Sequence, residues 1–159
     1  MRNIVLTLAL VSLPALVSAQ AVPGRSYVMQ AGASDLFEKQ SSELVMASTK
    51  NQKVRQFAHD MVRDHTKSTA DIKAAATATD MKPMPPKLTP DQSRDIAALR
   101  ATKGTNRDKL YIKQQKAAHA KALALHRGYA ASGDVPQLKA AATKIVPVVS
   151  HHADMANAM

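Results

Sequence analysis

Four prolines fall within MKPMPPKLTP, residues 81–90, and they divide the chain. No α-helix runs through such a stretch. Each proline lacks the amide hydrogen that a helix needs, and its ring pushes the preceding residue towards extended backbone. The rest of the sequence is of the opposite kind. Alanine, lysine, glutamine and methionine abound, and only 5 of 159 residues are glycine. That composition favours helix. No period-two alternation of apolar and polar residues marks a strand. The chain is therefore expected to be all-α, with one long connection near its middle.

Apolar spacing sets the helices. The first should run from about Ser26 to Ser48, and TKNQ at 49–52 reads as a short polar turn. The second should run from about Gln52 to Thr79, with an inner stripe of Val54, Phe57, Ala58, Met61, His65, Ser68 and Ile72. After the prolines, Thr89-Pro90-Asp91 reads as a cap followed by proline at the first helical position. A short helix to Ala101 follows, placed on the outside or end. Lys103-Gly104-Thr105 breaks the chain again. The third long helix should span about Asn106 to Ala131. SGDVP at 132–136 is a turn with glycine past the helix end. Asp134 is placed to cap the last helix, which should reach about Ala158 and bend at Pro147. Four long helices, two short turns and a proline-rich crossover with a short extra helix between helices two and three make a four-helix bundle.

The first nineteen residues read differently. Arg2 precedes the apolar run IVLTLALVSLPALV, and VSA at 17–19 suits a signal peptidase. That is the pattern of a secretory signal, too short to read as a membrane span. The expectation is a cleaved signal peptide over 1–19, then one bundle domain over 20–159. That domain would be periplasmic or secreted, with no transmembrane span. The absence of cysteine rules out disulfides, thiolate metal sites and a lipid-modified cysteine. Packing or a ligand must hold the fold. The net charge of +10 would suit nucleic acid, but lysine and arginine are scattered and aromatics are 3% of residues. Export also removes the usual nucleic-acid partners. A solvated basic exterior, or attraction to an anionic envelope surface, accounts better for the charge.

The inner stripes carry an anomaly. Helix one offers Ala31, Ser34, Glu38, Ser41 and Val45. The third long helix offers Ile112, Gln115, His119, Ala122, Leu123 and His126. The last offers Leu138, Ala141, Ile145, Val149, His152 and Met159. Each stripe steps by three or four residues, as one helix face must. Each also holds a titratable residue near its middle: Glu38, His65, His119 and His152. At about 1.5 Å per residue, Glu38 and His65 both lie roughly 20 Å from their shared turn. His119 lies at similar depth from the other turn, and His152 is displaced by roughly one helical turn.

A lone histidine on an apolar face is usually a satisfied core residue. Three histidines and a carboxylate at one depth are a different matter, because desolvating unpaired polar groups is costly. Two arrangements would satisfy them. They form a hydrogen-bonded network that fixes helix register, or they bind a divalent transition metal, with zinc, iron or copper suited by ligand type. His126 falls on the same face and would make a second layer. His59 and His151 should face away. The methionines form no dense cluster, and core packing explains them. No phosphate loop, nucleophile elbow or cofactor fingerprint is present, so an enzyme reading has little to rest on.

FEKQSSELVMAS, VRQFAHDMVRDHTKST, YIKQQKAAHAKAL and IVPVVSHHADMA resemble the bacterial family called domain of unknown function 4142. The resemblance covers nearly all of the chain after the leader. Its most specific pieces are MVxDH at 61–65, YxxxQxxxH at 111–119 and the proline and histidine of 147–152. It implies a small, exported, ferritin-like four-helix bundle associated with the periplasm or outer membrane. It also implies that Glu38, His65, His119 and His152 are recurring polar positions. Arg107 departs from the aromatic residue common before the tyrosine motif. Di-iron bundles use Glu-x-x-His pairs. Here Val62, Lys116 and Val149 stand three residues before the histidines, so iron oxidation and storage are poorly supported.

Overall fold

The computed structural model describes residues 22–159, so the expected leader lies outside the described residues. Five helices and no strand make up that region. They are α1 (Gly24–Met46), α2 (Gln52–Thr77), α3 (Pro90–Ala101), α4 (Gly104–Ser132) and α5 (Pro136–Asn157). Local chemistry explains most of the ends. Asn51 caps α2 by accepting the amides of Lys53 and Val54. Thr89 and Gln92 cap α3 reciprocally, with Pro90 in the first turn. The second helix stops at Thr77, two residues before the expected end. Asp80 then adopts a left-handed conformation (φ 58°), which its short polar side chain tolerates.

The turn before α5 differs from expectation. Gly133 has φ −58°, so it is not a left-handed terminator. It is needed for space: a Cβ there would lie 2.6 Å from the Tyr129 carbonyl oxygen. Asp134 does not cap α5. It accepts the Tyr129 hydroxyl at 2.9 Å, and α5 begins after Val135 without a side-chain cap. Helix α5 continues through Pro147. Met159 lies beyond the helix and is exposed, not on the inner stripe.

The four long helices close a ring. Helix α1 packs on α2 and α4, and α5 packs on the same two. Helix α3 lies outside, against α1 and α4. Two apolar clusters fill the interior. One gathers Tyr27, Ala31, Ile72, Ala122, Leu138 and Val149. The other gathers Val45, Phe57, Met61, Leu99, Tyr111 and Ala156. Each long helix contributes to both, so the clusters occupy opposite ends of the ring. The chain leaves α2 at the first end and enters α4 at the second. The proline-rich segment and α3 therefore travel back along the outside. Pro86 crosses α1 at Gly32, where a Cβ would come within 3.2 Å of the proline ring. Leu99 then anchors α3 in the second cluster.

Candidate metal centre

Between the two apolar clusters every long helix changes character. Along α1 the buried residues pass from Ala31 to Asp35 and Glu38 before reaching Val45. Along α2 they pass from Met61 to His65 and Ser68 before Ile72. Helix α4 inserts Gln115 and His119 between Tyr111 and Ala122, and α5 inserts His152 between Val149 and Ala156. The helical period that builds the apolar clusters thus also brings these polar side chains to one level.

Three imidazoles meet there. The ring centroids of His65, His119 and His152 are 5.5–5.7 Å apart. One ring nitrogen from each lies within 4.8 Å of the other two, and all three residues are buried. The displacement expected for His152 is not seen. A count of residues from a turn ignores any offset between the two helix ends.

Each ring is held from behind. His65 Nδ1 donates to Asp35 Oδ1 at 2.8 Å, and the Thr69 hydroxyl donates to the other Asp35 oxygen at 3.0 Å. His119 Nδ1 donates to the Gln115 carbonyl at 2.9 Å. His152 Nε2 donates to Asp64 Oδ2 at 2.9 Å, and Arg63 holds that carboxylate from the solvent side. In all three rings the second nitrogen is buried without a partner: Nε2 of His65, Nε2 of His119 and Nδ1 of His152. Backing oxygens of this kind select the tautomer and orientation of metal-binding histidines.

Glu38 stands beside this group and not within it. It is fully buried, with Oε1 3.7 Å from His119 Nδ1, the nitrogen that faces Gln115. Neither carboxyl oxygen has a hydrogen-bond partner. His126 is buried on the same helix but shares a hydrogen bond of 3.0 Å with the Tyr27 hydroxyl through Nδ1, beside the first apolar cluster. It does not join the triad. His59 and His151 are exposed, as expected.

Burial decides the charge states. It pushes the Glu38 carboxyl up to about 7, against the opposing pull of His65. It holds His119 down to about 3 and His152 down to about 4, with the neighbouring His65 charge adding to the effect. Both rings are therefore neutral at neutral pH, the form that ligates metal. For His65, burial acts in the same direction. The hydrogen bond and charge of Asp35, with Glu38 and Asp64 behind, outweigh it and raise its pKa. Asp64 is held low, chiefly by its hydrogen bond from Arg63.

Sequence reasoning missed Asp35. It placed Ser34 on the inner stripe, yet Ser34 is half-buried and Asp35 is 1% exposed. Asp64, beside His65, is half-buried and orients the His152 ring on a neighbouring helix. The adjacent pair Asp64-His65 was the available signal, because neighbouring helix residues point to different partners.

The centre defines an all-helical protein whose interior is divided by a histidine-centred polar layer. The chain belongs to the family described as "Domain of unknown function (DUF4142)", whose family model matches residues 13–159. No curated protein matches the sequence. Among solved structures, the fold is similar to a DUF305 fragment from Deinococcus radiodurans. The two share 14% identity and a TM-score of 0.74, over 87% of this chain and 95% of that one. A DUF305 protein of Streptomyces coelicolor, described as a candidate secreted protein, aligns with a TM-score of 0.66. Its identity is also 14%, with 84% of this chain and 88% of that one covered. At such identity the likeness concerns the fold alone.

Proposed function

We propose that the protein is an exported, ferritin-like four-helix bundle that binds one divalent transition metal through His65, His119 and His152. The bundle would be one domain over residues 20–159, released from a signal peptide over residues 1–19 into the periplasm or the exterior. The S. coelicolor neighbour's description supports export. The carrying observation is three buried rings that bring one nitrogen each within 4.8 Å of the others, every ring having one nitrogen hydrogen-bonded and the other without a partner.

The donor set fits such an ion. Tetrahedral zinc at about 2.0–2.1 Å from imidazole nitrogen would bring the ligand atoms to roughly 3.3 Å from one another. Asp35 and Asp64, each bonded to a ligand ring, offset the two positive charges of the ion. His65 would release its proton on binding. Glu38, expected from the sequence to be a fourth ligand, lies beside the three rings, with Oε1 3.7 Å from His119 Nδ1. Zinc, iron and copper all accept this donor set. Calorimetric titration of untagged protein with zinc is the test. One ion per chain is expected, with binding lost in His119→Ala and weakened about 10- to 100-fold in Asp35→Asn. Protein that takes up no zinc, copper or iron would overturn the reading.

A second reading has its own observation. The outer face of α4 carries exposed Lys109, Lys113, Lys116, Lys121 and Arg127, and among the described residues none of them is in an ion pair. Its acidic residue, Asp108, is half-buried and accepts the Thr49 hydroxyl. This face suits an anionic envelope surface, with the polar layer only setting helix register. Binding to anionic vesicles that weakens with salt, and is lost when Lys109, Lys113 and Lys116 become glutamate, is its expected signature. No vesicle binding at low salt would remove it.

A further inference from the structure

The first apolar cluster contains two tyrosines. Tyr27 on α1 and Tyr129 on α4 are both buried, and their rings stack with centroids 3.9 Å apart and planes 9° from parallel. Phenylalanine would stack as well, so packing alone does not ask for the hydroxyls. The partner of each hydroxyl is what sets this pair apart.

Each phenol meets a proton acceptor. The Tyr27 hydroxyl lies 3.0 Å from His126 Nδ1, 99 positions away in sequence. Among the described residues that nitrogen is the hydroxyl's one hydrogen-bond partner, so the phenol donates and the ring carries its own hydrogen on Nε2. Burial pushes His126 down to about 4, which keeps the ring uncharged at neutral pH. The Tyr129 hydroxyl donates to the exposed carboxylate of Asp134 at 2.9 Å. Tyr111, in the second cluster, is the contrast: its hydroxyl pairs with the Ser42 hydroxyl at 2.7 Å, which is no base. The sequence holds no tryptophan and no cysteine, so its three tyrosines are the side chains most readily oxidised by one electron.

We propose that Tyr27 and Tyr129 form a redox relay, in which Tyr27 passes one electron through the stacked Tyr129 ring to an outer-sphere one-electron oxidant at the Asp134 end and passes its phenolic proton to His126. The Tyr27 O–H bond breaks and an N–H bond forms on His126 Nδ1, leaving a neutral phenoxyl radical beside an imidazolium. The electron reduces the oxidant. A one-electron donor restores the phenol, and the proton returns from nitrogen to oxygen. An oxidised phenol is a strong acid, so even a buried imidazole takes its proton. Transfer follows a hydrogen bond already in place. The relay stands apart from the metal reading.

Flash-quench oxidation of the untagged protein tests it. Photogenerated tris(bipyridine)ruthenium(III) serves as the oxidant, transient absorption follows the phenoxyl band, and EPR identifies the radical. A lasting phenoxyl radical is expected in the wild type, formed more slowly in deuterium oxide. Tyr111→Phe should leave it unchanged, and Tyr27→Phe should abolish it. Tyr129→Phe keeps the stack but should slow formation. His126→Gln keeps an acceptor for the phenol but no base, and should slow formation roughly a hundredfold, the scale on which a positioned base acts. Circular dichroism checks the fold of each variant. Pulsed EPR of the wild type makes the same test without a substitution: one exchangeable proton and one imidazole nitrogen should couple to the radical. No radical in the wild type, one equally lasting in Tyr27→Phe, formation as fast in His126→Gln or Tyr129→Phe, or a wild-type radical lacking both couplings would overturn the relay.

Discussion

Replacing His119 with leucine should make the metal-free protein no less stable, and by up to about 2 kcal/mol more stable, while abolishing its response to metal. The side chain is fully buried, and its Nε2 has no partner. An unmet buried polar group costs about 1–3 kcal/mol, and leucine of similar volume carries no such cost. The hydrogen bond that would be lost, from Nδ1 to the Gln115 carbonyl, joins residues one turn apart on a single helix. The wild type should behave in the opposite way. At a metal concentration about a thousandfold above Kd, binding contributes about 4 kcal/mol. For a domain of this size that corresponds to a rise in Tm of roughly 10–15 °C. Thermal melts of both proteins, with chelator and with zinc, check this. If the triad were only a strut between helices, His119→Leu would lower the melting temperature under both conditions.

Acid should destabilise the metal-free protein steeply, and the sign follows from the buried groups. In the folded state His119 stays neutral down to about 3, and His126 and His152 down to about 4, chiefly through burial. The unfolded chain protonates all three near the ordinary value of about 6.5. Unfolding therefore takes up three protons within that window. Glu38 acts in reverse: its folded carboxyl is protonated below about 7, whereas an unfolded one stays ionised down to its ordinary value of 4.5. Unfolding releases that proton. The net uptake of two protons lowers stability by about 3 kcal/mol per pH unit between roughly 6.5 and 4.5. Above 6.5 the sign changes for His65. Its raised pKa keeps it charged in the folded state alone, and the stability this contributes is lost as pH rises through that value. Stability should therefore peak near neutrality. Denaturant titrations at several pH values in the presence of chelator check the slope. His126→Phe should halve it, because one of the three protons disappears while the triad is untouched. A profile flat from pH 6.5 to 4.5 would show that these rings are not buried as neutral groups.

The legibility of the sequence varied with the kind of interaction. On the second helix every residue of the expected stripe, from Val54 to Ile72, is buried. There the apolar period is regular, and periodicity reports facing directly. The first helix is different. Glycine, alanine and serine fill much of it, so its apolar stripe is weak, and Asp35 took the place expected for Ser34. An aspartate reads as surface when only its own helix is considered. It is buried because His65, thirty positions away in sequence, donates to it. The same holds for Asp64 and His152, 88 positions apart. Pairings between helices leave no mark in the spacing of either one. The three histidines themselves were legible because each interrupts an apolar stripe at similar depth. Which nitrogen of each ring is occupied, and hence where a ligand would sit, depends on rotamers and on oxygens supplied by other helices. Residue counting could not place Glu38 behind His119, because depth along an axis does not specify direction around it. Turn chemistry was readable at Thr89-Pro90, where the capping residues act locally. It misled at SGDVP, where Tyr129 claims both the space beside Gly133 and the carboxylate of Asp134.

The central claim is that the triad at the end of FAHDMVRDH and on the two facing helices is a metal site. Elemental analysis of untagged protein taken from its native compartment, beside the His65→Ala variant, tests it most directly. About one zinc, copper or iron per chain in the native protein, and none in the variant, is the predicted result. Native protein free of all three metals, and equally free in the variant, would contradict it.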